Sequence, residues 1–175
     1  SKDIKEQIKN SRENIESVLG SGVDSKEELD SWLDKNGFEG DVREDIKNAI
    51  LRGDDKAGIH EVDDGLDSYL SLHEDGGKQG AERKINAFGE EHTYTSVGDN
   101  KHWVRDDGKV FEINGFNGDG NLDLKKTEDN VSDDPKSYIE GTFVSVNDDG
   151  KVEFFNNKEK SEDSDTDDYK SYIDS

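Results

Sequence analysis

His102-Trp103-Val104-Arg105-Asp106-Asp107-Gly108-Lys109-Val110-Phe111-Glu112-Ile113 reads as strand, turn, strand. Two short apolar and β-branched runs flank an Asp-Gly pair that supplies the positive φ a tight hairpin needs. The same plan recurs at Phe143-Val144-Ser145-Val146, Asn147-Asp148-Asp149-Gly150 and Lys151-Val152-Glu153-Phe154-Phe155. Both hairpins carry Asp-Asp-Gly-Lys-Val, which is either an internal repeat or good turn chemistry used twice; the second reading is the simpler. Residues 114–137 between them read as loop, with Pro135 the only proline.

Towards the N-terminus the apolar period changes from two to that of a helix. Ile4, Ile8, Ile15, Val18 and Leu19 share one helical face, ended by Gly20 and Gly22. Ser25 with Glu28 is a capping box, in which side chains satisfy free backbone N–H groups at a helix start. Leu29, Trp32 and Leu33 form the stripe that follows, and Asn36-Gly37 is a left-handed stop with Phe38 folding back. Asp41 with Glu44 reads as a second capping box before Val42, Ile46, Ala49 and Ile50, so residues 25–53 predict a helical hairpin. Residues 57–73 keep helical spacing through Ile59, Val62, Leu66, Tyr69 and Leu70, although Gly58 and Gly65 each cost a helix about 1 kcal/mol relative to Ala. Ala81, Ile85 and Phe88 suggest a last short helix or turn. The expected fold is α+β: an N-terminal short-helix bundle over residues 1–92, antiparallel β-hairpins over 93–157, and an acidic tail over 158–175 carrying a small Tyr169, Tyr172 and Ile173 anchor.

Composition narrows function more than it narrows fold. The 175 residues hold 45 acids against 23 bases, a net charge of −22, and only 27% are hydrophobic, against the roughly 45–50% apolar share usual for globular domains. The core is therefore expected to be thin. Residues 1–92 carry 24 acids and 13 bases, and residues 93–175 carry 21 and 10, so the charge is no local tail effect. Such a surface repels nucleic acid and anionic membrane, and no apolar run approaches a membrane span. It suits a basic protein partner, or strong salt, where screening removes self-repulsion. Asp outnumbers Glu by 27 to 18, which favours the salt reading, while 18 Lys speak against it. The absence of Cys rules out disulfides, thiolate zinc sites and cysteine nucleophiles. Compartment stays open, with secretion or a surface location allowed.

Ion-binding chemistry is concentrated in Asn117-Gly-Asp119-Gly-Asn121-Leu-Asp123-Leu-Lys-Lys-Thr-Glu128. Alternating oxygen ligands followed by a distal carboxylate match what a flexible seven-oxygen calcium shell requires. The segment resembles an EF-hand or dockerin-type calcium loop, which implies Asn117, Asp119, Asn121, Asp123 and Glu128 as ligands and calcium as the cofactor. It departs from that pattern where Leu122 replaces the sixth-position Gly, and a polar Asn-Gly-Asp-Gly turn is the plainer reading. Asp163, Asp165, Asp167, Asp168 and Asp174 repeat the alternation in the tail, where a solvated acidic run explains them.

Other constellations are weaker. His60 and Asp64 share a helical face without a third metal ligand. His102 beside Trp103 is similar to the general-base histidine of papain-like hydrolases, whose thiol this chain lacks, and no Gly-x-Ser-x-Gly elbow offers a serine instead. Residues 29–70 resemble a three-helix ubiquitin-associated module, which implies that Gly37, Phe38 and Leu70 face a partner. No catalytic residue is assigned. The expectation is a non-enzymatic, highly acidic interaction protein engaging a basic partner, with nucleic-acid mimicry as a specific form; the alternative is a salt- or calcium-stabilised surface or extracellular structural domain.

Overall fold

The computed structural model describes residues 3–132 and 134–156; the acidic run and the aromatic anchor read from residue 158 onward lie outside the described residues. The architecture is α+β, with helices first and antiparallel sheets after them. It divides into two compact units. The first holds the described residues up to Glu74 together with Asn114–Asp123, and the second holds Asp75–Ile113 together with the described residues from Leu124 on.

The first unit contains α1 (Ile4–Arg12), α2 (Ile15–Leu19), α3 (Lys26–Lys35), α4 (Gly40–Leu51) and most of α5 (Ile59–Gly76), with β1 (Gly22–Val23) pairing antiparallel to β2 (Ala57–Gly58). The single N-terminal helix expected from the apolar stripe is two helices. Asn14 leaves helical geometry because its side chain is used elsewhere: Oδ1 accepts from the Trp32 indole N–H at 2.8 Å, and Nδ2 donates to Asn36 Oδ1 at 2.7 Å. Asn36 in turn donates to the Trp32 carbonyl, so three polar side chains close the end of α3. Ser25 accepts from the Glu28 N–H as expected, but Glu28 accepts from Asp24 rather than from Ser25. The second capping box is corrected: α4 starts one residue earlier, its N-cap is Glu39 with no side-chain bond, and Asp41 lies inside the first turn. Gly37 has φ 76° and Phe38 N–H donates back to the Leu33 carbonyl, which is the stop read from Asn36-Gly37.

Ile8, Leu29, Trp32, Leu33, Ile46, Val62 and Leu66 are fully buried in one cluster, each stabilising the fold by roughly 1.5–3 kcal/mol relative to exposure. Gly65 belongs to this packing. A Cβ at that position would meet the Ile50 backbone N and Cα at 2.8 Å, so α5 lies against α4 at a separation only Gly allows. Gly58 is not helical at all and belongs to β2.

The second unit is built on a five-stranded sheet of order β3-β4-β5-β6-β7 and a three-stranded sheet of order β10-β9-β8. The first comprises β3 (Glu82–Ala87), β4 (Glu90–Ser96), β5 (His102–Arg105), β6 (Lys109–Phe116) and β7 (Leu122–Asn130); the second comprises β8 (Lys136–Ile139), β9 (Thr142–Val146) and β10 (Val152–Asn156). Both hairpins read from the sequence are present. Two expectations are corrected. Residues 81–88 are strand, since exposed Glu82, Lys84 and Asn86 alternate with buried Ile85, and Phe88-Gly89, with φ 57° and 81°, makes the two-residue turn into β4. Residues 114–137 are largely strand, in β6, β7 and β8, rather than loop. Polar β7 is ordered by its ladder with β6, which composition does not announce. Val97, Val104 and Val110 of one sheet pack with Val144 and Val146 of the other, joined by Val131 and edged by Tyr138, Val152 and Phe154, to form a two-layer sandwich.

Gly65→Ala tests the α4–α5 packing. Helix propensity alone favours the change by about 1 kcal/mol, whereas a Cβ pressed on rigid backbone is expected to cost about 1–3 kcal/mol; chemical denaturation should show a net loss of stability.

Candidate functional site

The charge of the molecule is arranged directionally. Arg12 pairs with Asp63 and Asp67, Arg43 with Asp30 and Asp34, Lys47 with Asp30, Arg83 with Asp75, and Arg105 with Asp107. In these pairs the cation is the buried partner. Arg43 has a side-chain exposure of 19% against 72% for Asp34, and Arg105 of 10% against 37% for Asp107. Lys101–Glu112 and Lys136–Asp129 have the opposite sense. The physical cause is the stem: Arg and Lys cover apolar surface with their methylenes, and a carboxylate then caps the head group from outside. Arg105 shows the full arrangement. Its guanidinium lies 5.0 Å from the Phe111 ring centroid, and Nε and Nη2 donate to the two Asp107 oxygens at 2.9 and 2.8 Å, holding Asp107 below the usual carboxylate range. Asp30, hydrogen-bonded by Lys47 and Arg43, is also held low.

The calcium-loop residues are placed apart. Asn117–Asn121 is the turn between β6 and β7, where Asn117 Oδ1 accepts from the N–H groups of Asp119 and Asn121 at 3.0 and 3.1 Å. The turn at Asn147 has the same bonds, its Oδ1 accepting from Asp149 and Lys151 at 2.9 and 3.0 Å. Gly120 and Gly150 follow at φ 84° and 80°. Asp119 lies at the tip beside Gly53. Asp123 and Glu128 both lie on β7, where five residues of strand rise span about 16 Å, so the distal Glu is not brought to the turn. Among the described residues no group of three or more His, Asp or Glu side chains converges tightly enough to hold a metal ion.

Asp123 instead joins a carboxylate group around α4. Asp45 accepts the Phe116 N–H at 3.2 Å while Asn48, one turn on, donates to the Phe116 carbonyl at 2.9 Å, so α4 grips both backbone groups of one residue. Gly115 leaves room for the Asp45 carboxylate beside it. Burial, and then the charges of Asp41, Asp123 and Glu44, push Asp45 up to about 6 against the opposing Phe116 hydrogen bond. Tyr69 is pushed up to about 12 by burial and the same Asp45 charge.

Two histidines meet carboxylates. His102 Nδ1 lies 2.6 Å from Asp99 Oδ2, while Asp99 Oδ1 accepts from the N–H groups of Lys101 and His102, and the imidazole stacks on Tyr138 at 4.2 Å between centroids. The Tyr138 hydroxyl donates to Asp129 at 2.6 Å. His92 sits between Glu90 and Asp106 at 2.8 and 2.7 Å, and those carboxylates, Glu90 first, raise its pKa. Asp99-x-x-His102 is an Asx-turn spacing that the sequence offered and that went unread. An oriented His–Asp pair supplies half of an acid–base site, and among the described residues no hydroxyl hydrogen-bonds either imidazole. His60 and Asp64 lie exposed on α5. The partner-facing role implied for Phe38 is corrected: Phe38 is buried, 6.3 Å from the Trp32 ring centroid, and Leu70 packs half-buried on the same core.

Among the described residues no helix is long and apolar enough to cross a membrane. Comparison with protein-family models, with curated proteins and with solved structures finds no match to the chain.

Asp45 generates a prediction with a definite sign. Its folded pKa lies above the unfolded value near 3.9, so ionising it disfavours the fold; the penalty is absent at pH 4 and fully present above about pH 6. Asp45→Asn keeps an acceptor for Phe116 and should raise Tm at pH 8, with the gain vanishing near pH 4, as read by thermal melts across that range.

Proposed function

We propose that the chain is a non-enzymatic acidic interaction protein that engages a basic partner, one specific form being nucleic-acid mimicry, in which carboxylates at fixed spacing stand in for phosphates. The reading rests on the inward cations and outward carboxylates. Burying the guanidinium of Arg43 or Arg105 beneath a carboxylate leaves the acid as the group a partner meets. Excess negative charge on hydrogen-bonded, sheet-borne and helix-borne positions is also pre-organised, so docking a Lys- or Arg-rich surface does not have to order it first. Association would be steered over long range and screened by salt.

Titrating a basic probe protein such as a histone against the chain tests this. The Debye length falls from about 10 Å at 0.1 M to about 3 Å at 1 M salt, so affinity should drop steeply across that interval; an affinity that stays flat overturns the reading.

A second reading, a structural domain stabilised by salt or calcium, draws on the repulsion among Asp41, Glu44, Asp45 and Asp123. Molar salt or bound cations would relieve it. On this reading Tm rises in molar sodium chloride or with added calcium through screening and ligand linkage, and melts that respond to neither remove it.

A further inference from the structure

We infer that the cleft at one end of the β-sandwich in the second unit seats a lysine or arginine side chain presented by an extended segment of the partner; this rests on the reading above and gives it a location. The cleft, of about 470 Å³, is bounded by β3 and β4 on one side and by β10 with its preceding turn on the other. That volume lies in the roughly 300–1,000 Å³ range of ligand sites.

The first observation is a hydroxyl with nothing to bond. Thr95 is 5% exposed and lines the cleft, and among the described residues no hydrogen-bond partner meets its side chain. The other buried serines are satisfied: Ser11 Oγ donates to the Ile8 carbonyl and Ser96 Oγ to the Gly76 carbonyl, at 2.8 and 2.7 Å. A buried polar group without a partner costs about 1–3 kcal/mol, and a hydroxyl offers two acceptor lone pairs to a cationic head group.

The second observation is the charge around it. Glu82 is the cross-strand neighbour of Thr95 in the β3–β4 ladder. Asp106 is held in place by His92 and by the Thr93 N–H, and Asp149 stands on the β9–β10 turn, with Lys151 the single basic residue of the lining. Two of the three carboxylates come from the two Asp-Asp-Gly-Lys turns. These meet here, Gly150 approaching the Asp106 carbonyl closely enough that a Cβ would sit 3.3 Å from it. Val152 and Phe154 supply an apolar wall for the methylene stem and an aromatic edge for the head group.

The third observation concerns shape. β3 and β10 are the outer strands of their sheets, and unpaired strand edges accept extended peptide by main-chain hydrogen bonding. Acidic groups, an acceptor hydroxyl, an apolar stem wall and two open edges together fit an extended basic peptide.

The test uses the full chain and a fluorescein-labelled peptide of alternating Lys and Thr, followed by fluorescence anisotropy at low salt. Replacing Glu82→Gln with Asp149→Asn should weaken binding at least tenfold. An equal charge change on α5, Glu61→Gln with Asp64→Asn, should weaken it no more than about twofold, the effect of surface charge screened over distance. Thr95→Val, which removes only the hydroxyl, should weaken binding several-fold while Tm stays level or rises. Equal losses in the two charge variants, or full binding by the Thr95 variant, overturn the cleft while leaving the acidic-surface reading standing. A wild-type chain that binds neither this peptide nor the histone overturns both.

Discussion

Like-charge repulsion is the constraint around which the molecule is organised. A net −22 on 175 residues works against compaction, and a thin apolar core has little surplus to oppose it. The fold answers by placing its few cations where each does two things. Arg43 spans α3 and α4 with its stem and answers both Asp30 and Asp34 with its head. Arg105 lies over Phe111 and grips Asp107 with both faces of its fork. Exposed ion pairs are worth little, about 0–1 kcal/mol, but half-buried bidentate ones also orient what they join. Outward carboxylates, and the electrostatic character a partner would meet, follow from that economy of cations.

Polar side chains carry much of the local architecture for the same reason. Asn14, Trp32 and Asn36 close the end of α3 with hydrogen bonds where a richer sequence would use apolar contacts. Asn117 and Asn147 each fold a five-residue turn around one side-chain oxygen. Asp45 and Asn48 hold the backbone of Phe116. In each case a short side chain satisfies backbone or indole donors that would otherwise face water or be buried unpaired. Turn and cap residues of this kind are also ligand types, which is why the Asn117 segment resembles a calcium loop. Its oxygens differ from calcium ligands in having bonding partners within the turn.

Much of this was legible one residue at a time. Ser25, the Asn36-Gly37 stop with Phe38, and the Asp-Gly turns at Gly108 and Gly150 could be read because each depends on neighbours within a few positions and on φ values that few residues adopt. Ile85, Leu122 and Leu124 were not legible as strand positions, because their runs carry too few apolar residues for periodicity to show. Their state is set by the strands beside them. Gly65 was misread for a related reason: as a propensity it weakens α5, and only the approach of Ile50 makes it useful. Phe38 was read as available to a partner because a Gly-Phe loop looks exposed when the Trp32 ring that covers it cannot be seen.

Composition and short-range pattern thus settled the class of the fold, the positions of its turns, and an acidic character that no arrangement of 45 acids and 23 bases could escape. Packing alone decided which of those charges face outward, that Asp45 would be pressed towards neutrality by Asp123 across a long stretch of chain, and that Thr95, Glu82, Asp106 and Asp149 would share one cleft. The difference is physical. Propensity and capping act over a few residues of backbone, whereas burial and electrostatic proximity depend on which distant segments the ladders and the helix packing bring together.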